Sequence, residues 1–127
     1  LPTPLALDGE TEVEGTPWRV RCRPVRCPDE SERKPGGPWY LAQGALEGPL
    51  VLRPRQTGDA VTLPGRGGTK TLKKLFIDEK VPRRERERIP VLADGRGVAA
   101  VAGFGPEQSR TAVPGQAAYE LLFWKKE

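Results

Sequence analysis

The 127-residue chain contains no histidine and no methionine, only two cysteines and few aromatic residues. Without histidine the commonest acid–base side chain is missing, and Ser–His or Cys–His nucleophilic dyads are excluded. The acidic residues offer no substitute. Glu10, Glu12 and Glu14 alternate along a strand-like stretch, and Asp29, Glu30 and Glu32 fall in a loop, where carboxylates are solvated. No catalytic residues are assigned. Cys22 and Cys27 stand in a C-x4-C spacing, and a zinc site needs about four nitrogen or sulfur ligands. No metal site is expected; one cysteine reads as a strand residue facing the core and the other as a loop residue, both reduced.

No apolar run is long enough to cross a bilayer, and the first residues, LPTPLALDGE, lack the basic start and apolar stretch of a signal peptide. A cytoplasmic protein without membrane partners is expected. Because the chain does not begin with methionine, it also reads as a piece of something longer.

What the chain does contain is turn formers and positive charge. Fifteen glycines and 14 prolines, in no repeat, imply short strands joined by many turns. The net charge of +4 is unevenly placed. Residues 53–88 hold 11 basic against 5 acidic residues, whereas residues 1–52 hold 6 against 8. A local excess of this sign suits a polyanion, nucleic acid first. It equally suits a solvated face, since Lys74/Asp78, Arg83/Glu87 and Glu85/Arg88 have helical pairing distances. Lys70 and Lys73 have no acid on their own helical face.

Residues 10–26 read as two strands about a Gly15-Thr16 turn, with Val20 and Cys22 on one face and Arg19, Arg21 and Arg23 on the other. Residues 28–38 read as an exposed loop, and residues 39–42 and 50–55 as strands. Leu72, Leu75 and Phe76 recur at helical spacing and predict a helix from about Thr69 to Lys80, placing Lys70, Lys73 and Lys80 together on another arc. The preceding GRGGTK (Gly65 to Lys70) fits either a phosphate cradle at a helix N-terminus or a tight turn, and its spacing is not that of a nucleotide P-loop. Pro82 opens a second short helix and Pro90 closes it. Val91–Ala93, an Asp94-Gly95 turn and Val98–Phe104 predict a hairpin, and Tyr119–Trp124 a closing strand buried on much of both sides. The resulting class is α+β: short strands covered by a helical hairpin.

Three stretches, LRPRQTGD (Leu52 to Asp59), GRGGTKTLKKLFIDEKVPRRERERIPVLADG (Gly65 to Gly95) and VAGFG (Val101 to Gly105), resemble the C-terminal domain of the tRNA(Ile)-lysidine synthetase family over about half the chain. The shared features are the Arg-x-Arg before Gly58-Asp59, the Lys-Leu-Phe helix, Lys80-x-Pro82, Arg86, Pro90 and the Asp-Gly hairpin. Family members often follow Gly-Asp with Arg-Phe, where this chain has Ala60 and Val61.

The resemblance implies a β/β/α-layered sandwich, related to a domain of phenylalanyl-tRNA synthetase. Residues 1–50 would form a β-rich lead-in and residues 51–127 the domain proper. It implies a parent enzyme that uses ATP, with magnesium, to adenylate the wobble cytidine of isoleucine tRNA with a CAU anticodon and join lysine to it. That chemistry belongs to an N-terminal ATP-pyrophosphatase domain with an S-G-G-x-D-S loop, which does not occur in this chain, so no cofactor is assigned here. The implied partners are tRNA, at its acceptor-stem end, and the catalytic domain of the same chain.

Candidate RNA contacts are Lys70, Lys73, Lys80, Arg83 and Arg84, then Arg53, Arg55 and Arg66. Arg86 and Asp59 suit either RNA contact or pinning of the helical hairpin. The alternative function is a basic docking module without catalysis.

Overall fold

The computed structural model describes residues 2–127. The alternation at the start of the chain becomes β1 (Thr3–Pro4), β2 (Gly9–Glu12) and β3 (Trp18–Arg26), followed by β4 (Trp39–Ala42) and β5 (Val51–Arg53). The middle of the chain forms a small ribbon, β6 (Ala60–Val61) with β7 (Lys70–Thr71), and two short helices, α1 (Leu72–Asp78) and α2 (Arg83–Arg86). The end forms β8 (Val91–Asp94), β9 (Gly97–Val101), β10 (Gly105–Pro106) and β11 (Ala117–Lys125).

Two antiparallel sheets result, in the orders β1-β5-β8-β9-β10 and β2-β3-β11-β4. In the second sheet β11 pairs along the whole of β3, so that Phe123 faces Val20 and Leu121 faces Cys22. Residues 1–50 therefore supply three of its four strands. One face of β3 carries the buried Trp18, Val20 and Cys22, and the opposite face carries Arg19, Arg21 and Arg23, as the alternation requires.

In the first sheet β8 and β9 are buried at successive positions, Val91 to Ala93 and Val98 to Val101. Burial of both faces means that the sheet is covered on both sides. Val20, Cys22 and Leu121 of the second sheet and Leu72, Leu75 and Phe76 of α1 all belong to the same core cluster, as the α+β layering requires. Phe76 meets Phe104 with ring centroids 5.6 Å apart.

Helix α1 is shorter than its apolar spacing predicts. Lys70 and Thr71 pair with Val61 and Ala60, and the Thr71 hydroxyl accepts the Lys74 N–H at 3.2 Å, which starts the helix at Leu72. Lys70 is thus a strand residue and does not share a helical arc with Lys73 and Lys80. At the other end Lys80 N–H donates to the Ile77 carbonyl and Val81 N–H to the Phe76 carbonyl. This is the Schellman closure, which places Lys80 at the left-handed position that glycine normally fills, with φ 58°.

Both cysteines are free and buried, Cys22 on β3 and Cys27 just after it. Burial, with a smaller contribution from Asp8, pushes the Cys22 thiol up to about 11, so it stays protonated and inert. The loop 28–38 is exposed except around Pro28, Arg33 and its last residues; the Arg33 guanidinium donates to Cys27 Sγ at 3.1 Å and lies 5.2 Å from the Tyr40 ring centroid.

Candidate nucleic-acid interface

The basic residues divide by whether a carboxylate already answers them. Arg53 on β5 grips Asp59 through two bonds, 2.7 and 3.2 Å, with both side chains 11% exposed. Asp59 Oδ2 also accepts the Gln56 N–H at 2.8 Å, and its carbonyl accepts the Leu72 N–H at 2.9 Å. Burial alone would raise the Asp59 carboxyl; the Arg53 and Gln56 bonds outweigh it and hold the group below the ordinary carboxylate range. This pair ties the strand end to the loop and to the first turn of α1.

Lys70 reaches Asp78 at 2.8 Å, contrary to the expectation that no acid faces it, because the strand position of Lys70 brings it alongside the far end of α1. Lys74 also reaches Asp78, at 3.7 Å, as its helical spacing requires. Arg66 pairs with Glu79 at 3.0 Å and Arg55 approaches Glu87 at 3.9 Å. The expected Arg83/Glu87 and Glu85/Arg88 pairs do not form, since α2 ends at Arg86 and leaves Glu87 free to turn toward Arg55. Arg86 donates its Nε–H to the Val81 carbonyl at 3.0 Å and so closes the corner between the helices.

Among the described residues, Lys73, Lys80, Arg83, Arg84 and Arg88 form no ion pair, and all five are exposed. They occupy α1, the corner after it, α2 and the turn beyond. On the outer face of the second sheet Arg23 binds Glu120 at 2.7 Å, with Tyr40 donating to the same carboxylate at 3.2 Å, and Arg19 lies 3.5 Å from Glu12, while Arg21 is exposed without an ion pair. Five exposed cations without an ion pair thus stand at the α1–α2 corner; Arg21, Arg26, Lys34, Lys125 and Lys126, likewise exposed and without an ion pair among the described residues, are spread over the rest of the chain.

The corner borders a cleft of about 620 Å³. Trp18, Val81, Ile89 and Phe104 form its apolar floor, and Lys80, Arg84, Arg88 and Lys125 its rim, together with Glu79 and Glu85. Lys125 Nζ sits 5.3 Å from the Trp18 ring centroid. Gly103, the residue before Phe104, has φ 82°, and a Cβ there would come 3.4 Å from the Trp18 ring, at van der Waals contact. Sequence reading missed Trp18, Phe104, Arg88 and Lys125 as members of one site. They are distant in the chain, and only the pairing of β3 with β11 brings Trp18 opposite Lys125.

A smaller cleft of about 330 Å³ is lined by Arg55, Gly58, Thr71 and Lys73. Arg55 Nε is buried there without a partner. The GRGGTK loop joins β6 to β7 and does not run directly into α1, and its glycines at 65, 67 and 68 all have positive φ. Of the two readings of that loop, the tight turn matches its position. No cluster of three or more His, Cys, Asp or Glu side chains suited to a metal occurs among the described residues, and none of their helices is long and apolar enough to cross a membrane.

Comparison with known proteins matches residues 50–123 to a family model described as the TilS substrate C-terminal domain. This span includes both helices and the hairpin after them. The chain is 39% identical over 92 residues to the tRNA(Ile)-lysidine synthase of Geobacillus kaustophilus (strain HTA426), covering 71% of this chain and 20% of that protein. It is 34% identical over 100 residues to the tRNA(Ile)-lysidine synthase of Symbiobacterium thermophilum, covering 79% and 21%. The chain thus spans about a fifth of the length of these relatives. A solved structure described as a crystal structure of TILS C-terminal domain superposes with TM-score 0.77 at 27% identity, covering 100% of this chain and 95% of the other.

Proposed function

Because the chain belongs to the TilS substrate C-terminal domain family, we propose that it holds the tRNA on which a tRNA(Ile)-lysidine synthase acts, and that it performs no chemistry itself. The ligation, with its ATP and magnesium, belongs to a catalytic domain elsewhere in the parent enzyme, a cytoplasmic ligase that joins lysine to the wobble cytidine of isoleucine tRNA with a CAU anticodon. The observation that carries this reading is the set of exposed cations without ion pairs at the α1–α2 corner. An A-form stem hides its base edges in a deep major groove, so a protein grips it through phosphates and 2′-hydroxyls. The acceptor-stem end of the tRNA meets this surface.

Lys73, Lys80, Arg83 and Arg84 are the primary contacts. Arg55 joins them from the smaller cleft, which it lines together with Lys73. Lys70 and Arg66 exchange their carboxylate partners for phosphate as the RNA docks, since exposed pairs of this kind contribute little. Arg53, Asp59 and Arg86 hold the surface in shape.

Lys80 supports this reading through its backbone. A lysine at a left-handed helix end costs conformational energy that glycine would not, and such strain concentrates at functional sites. Lys80→Gly is expected to stabilise the fold by about 0.5–1 kcal/mol while weakening RNA binding. Urea unfolding and RNA titration of the same variant check the two opposite effects.

Amide hydrogen exchange with and without unmodified isoleucine tRNA tests the placement. Protection is expected across residues 71–88, with β2 and the outer face of β3 unchanged. Protection confined to β3 and β11, or none anywhere, would overturn it, and the latter would favour a docking surface for another part of the enzyme.

A further inference from the structure

The cleft beside the α1–α2 corner is partly aromatic. A duplex presents a rigid backbone to a protein and keeps its bases stacked, so it contacts the rim without reaching the floor. Four cations stand on that rim, and Lys80 and Arg84 belong at once to the corner and to the cleft. The cleft therefore lies next to any strand that leaves a stem held at the corner. The floor offers Phe104, half-buried, and the rim of Trp18, with Lys125 held at the mouth over the Trp18 ring. The volume, about 620 Å³, falls within the roughly 300–1,000 Å³ typical of sites for small organic ligands.

We propose that this cleft receives an unpaired nucleotide continuing from the RNA stem, with its base on the half-buried Phe104 and its flanking phosphates on Arg88 and Lys125. The inference rests on the stem-binding reading above and adds to it a separate subsite for single-stranded RNA. Aromatic surface takes any base by its π-face, and the cations follow the backbone, so the subsite recognises that a strand is unpaired rather than what its sequence is. Glu79 and Glu85 do not neutralise the mouth, because Glu79 is already engaged by Arg66 at 3.0 Å and one carboxylate then faces four cations. Gly103, beside Phe104 in the chain, has the positive φ of 82° that disfavours a side chain, and the Trp18 ring lies within van der Waals reach of it.

The test measures the affinity of this chain, by fluorescence anisotropy, for a blunt RNA hairpin, for the same hairpin with a short single-stranded extension at its 3′ or its 5′ end, and for the extension alone. One of the two extensions is expected to tighten hairpin binding by roughly tenfold. Arg88→Ala/Lys125→Ala should abolish that gain, and Lys125→Ala alone, on β11 and outside the helical corner, should reduce the gain and leave blunt-hairpin binding unchanged. Phe104→Leu, which removes the ring but keeps an apolar side chain, should do the same. If Phe104→Leu unfolds, the surface double variant carries the test, since neither Arg88 nor Lys125 forms an ion pair among the described residues. Equal affinity for blunt and extended hairpins, or a gain that survives in the double variant, overturns the subsite and leaves the stem reading standing. Binding of the extension alone, lost in the double variant, with no binding of the blunt hairpin, supports the subsite and removes the stem reading. Absence of binding to every RNA overturns both.

Discussion

Asp94→Ala is expected to cost about 3–5 kcal/mol of folding free energy, the typical penalty for leaving a buried charge without its partner. The Asp94 side chain is fully buried and accepts four bonds. Two come from Arg110, at 2.7 and 3.1 Å, and one each from the Glu47 and Arg96 N–H groups at 2.9 Å. Arg110, itself 5% exposed, would keep only the Ala45 carbonyl at 2.9 Å. A loss of that size is a large share of the 5–15 kcal/mol by which domains are usually stable, so the variant should be marginal at 25 °C.

Asp94→Asn, which keeps the shape, should lose less. Burial by itself would raise the Asp94 carboxyl; the Glu47 and Arg96 N–H groups and then Arg110 outweigh it and hold it below its ordinary value of 3.8. A depressed native value stabilises the fold above the unfolded pKa, and that contribution is lost as the pH falls through the native one. The stability gap between wild type and Asp94→Asn should therefore be fully open at neutral pH and close in acid below about pH 4. Urea unfolding of both proteins across that range checks the sign.

The largest effect on binding is expected from Lys73→Ala/Arg83→Ala/Arg84→Ala. None of the three side chains has an ion-pair partner and all are exposed, so the fold should not change. Hydrogen bonds to charged groups contribute about 1 kcal/mol or more each. Three of them lost together should weaken binding of isoleucine tRNA by about a hundredfold at low salt. An unchanged urea midpoint alongside the weakened binding would separate contact from folding.

The strands were legible where one face is buried. Val20 and Cys22 against Arg19, Arg21 and Arg23 define β3 by alternation, and Leu72, Leu75 and Phe76 define the buried stripe of α1. The helix boundary was not legible. The pairing that draws Lys70 into a strand depends on Val61, nine residues away and across a glycine loop, and no local propensity reports it. The hairpin at Asp94 was legible as a turn, though the two-residue loop is Gly95-Arg96. The deeper role of Asp94 was hidden because its partner Arg110 lies on the far side of β9 and β10 in the sequence.

The basic excess of residues 53–88 was plain from composition, yet composition cannot separate Arg53, locked to Asp59, from Arg83, which has no acidic partner. The family motif carries the same ambiguity, since Arg-x-Arg with Gly-Asp reads equally as an RNA grip and as a structural clasp. The structure sets its first arginine in the clasp and turns the second toward a cleft. The large cleft had no sequence signal, because Trp18, Gly103 and Lys125 meet only through sheet pairing and layer packing.

The helical corner is proposed to bind RNA through its phosphates. This binding is tested most directly by the salt dependence of the affinity for unmodified isoleucine tRNA with a CAU anticodon, in wild type and in Lys73→Ala/Arg83→Ala/Arg84→Ala. Each phosphate neutralised contributes about 0.7–0.9 to the slope of log K against log salt. Wild type is expected to show a steep fall, and the variant a slope shallower by about 2–3. Equal slopes, or binding that does not respond to salt, would contradict binding through the corner.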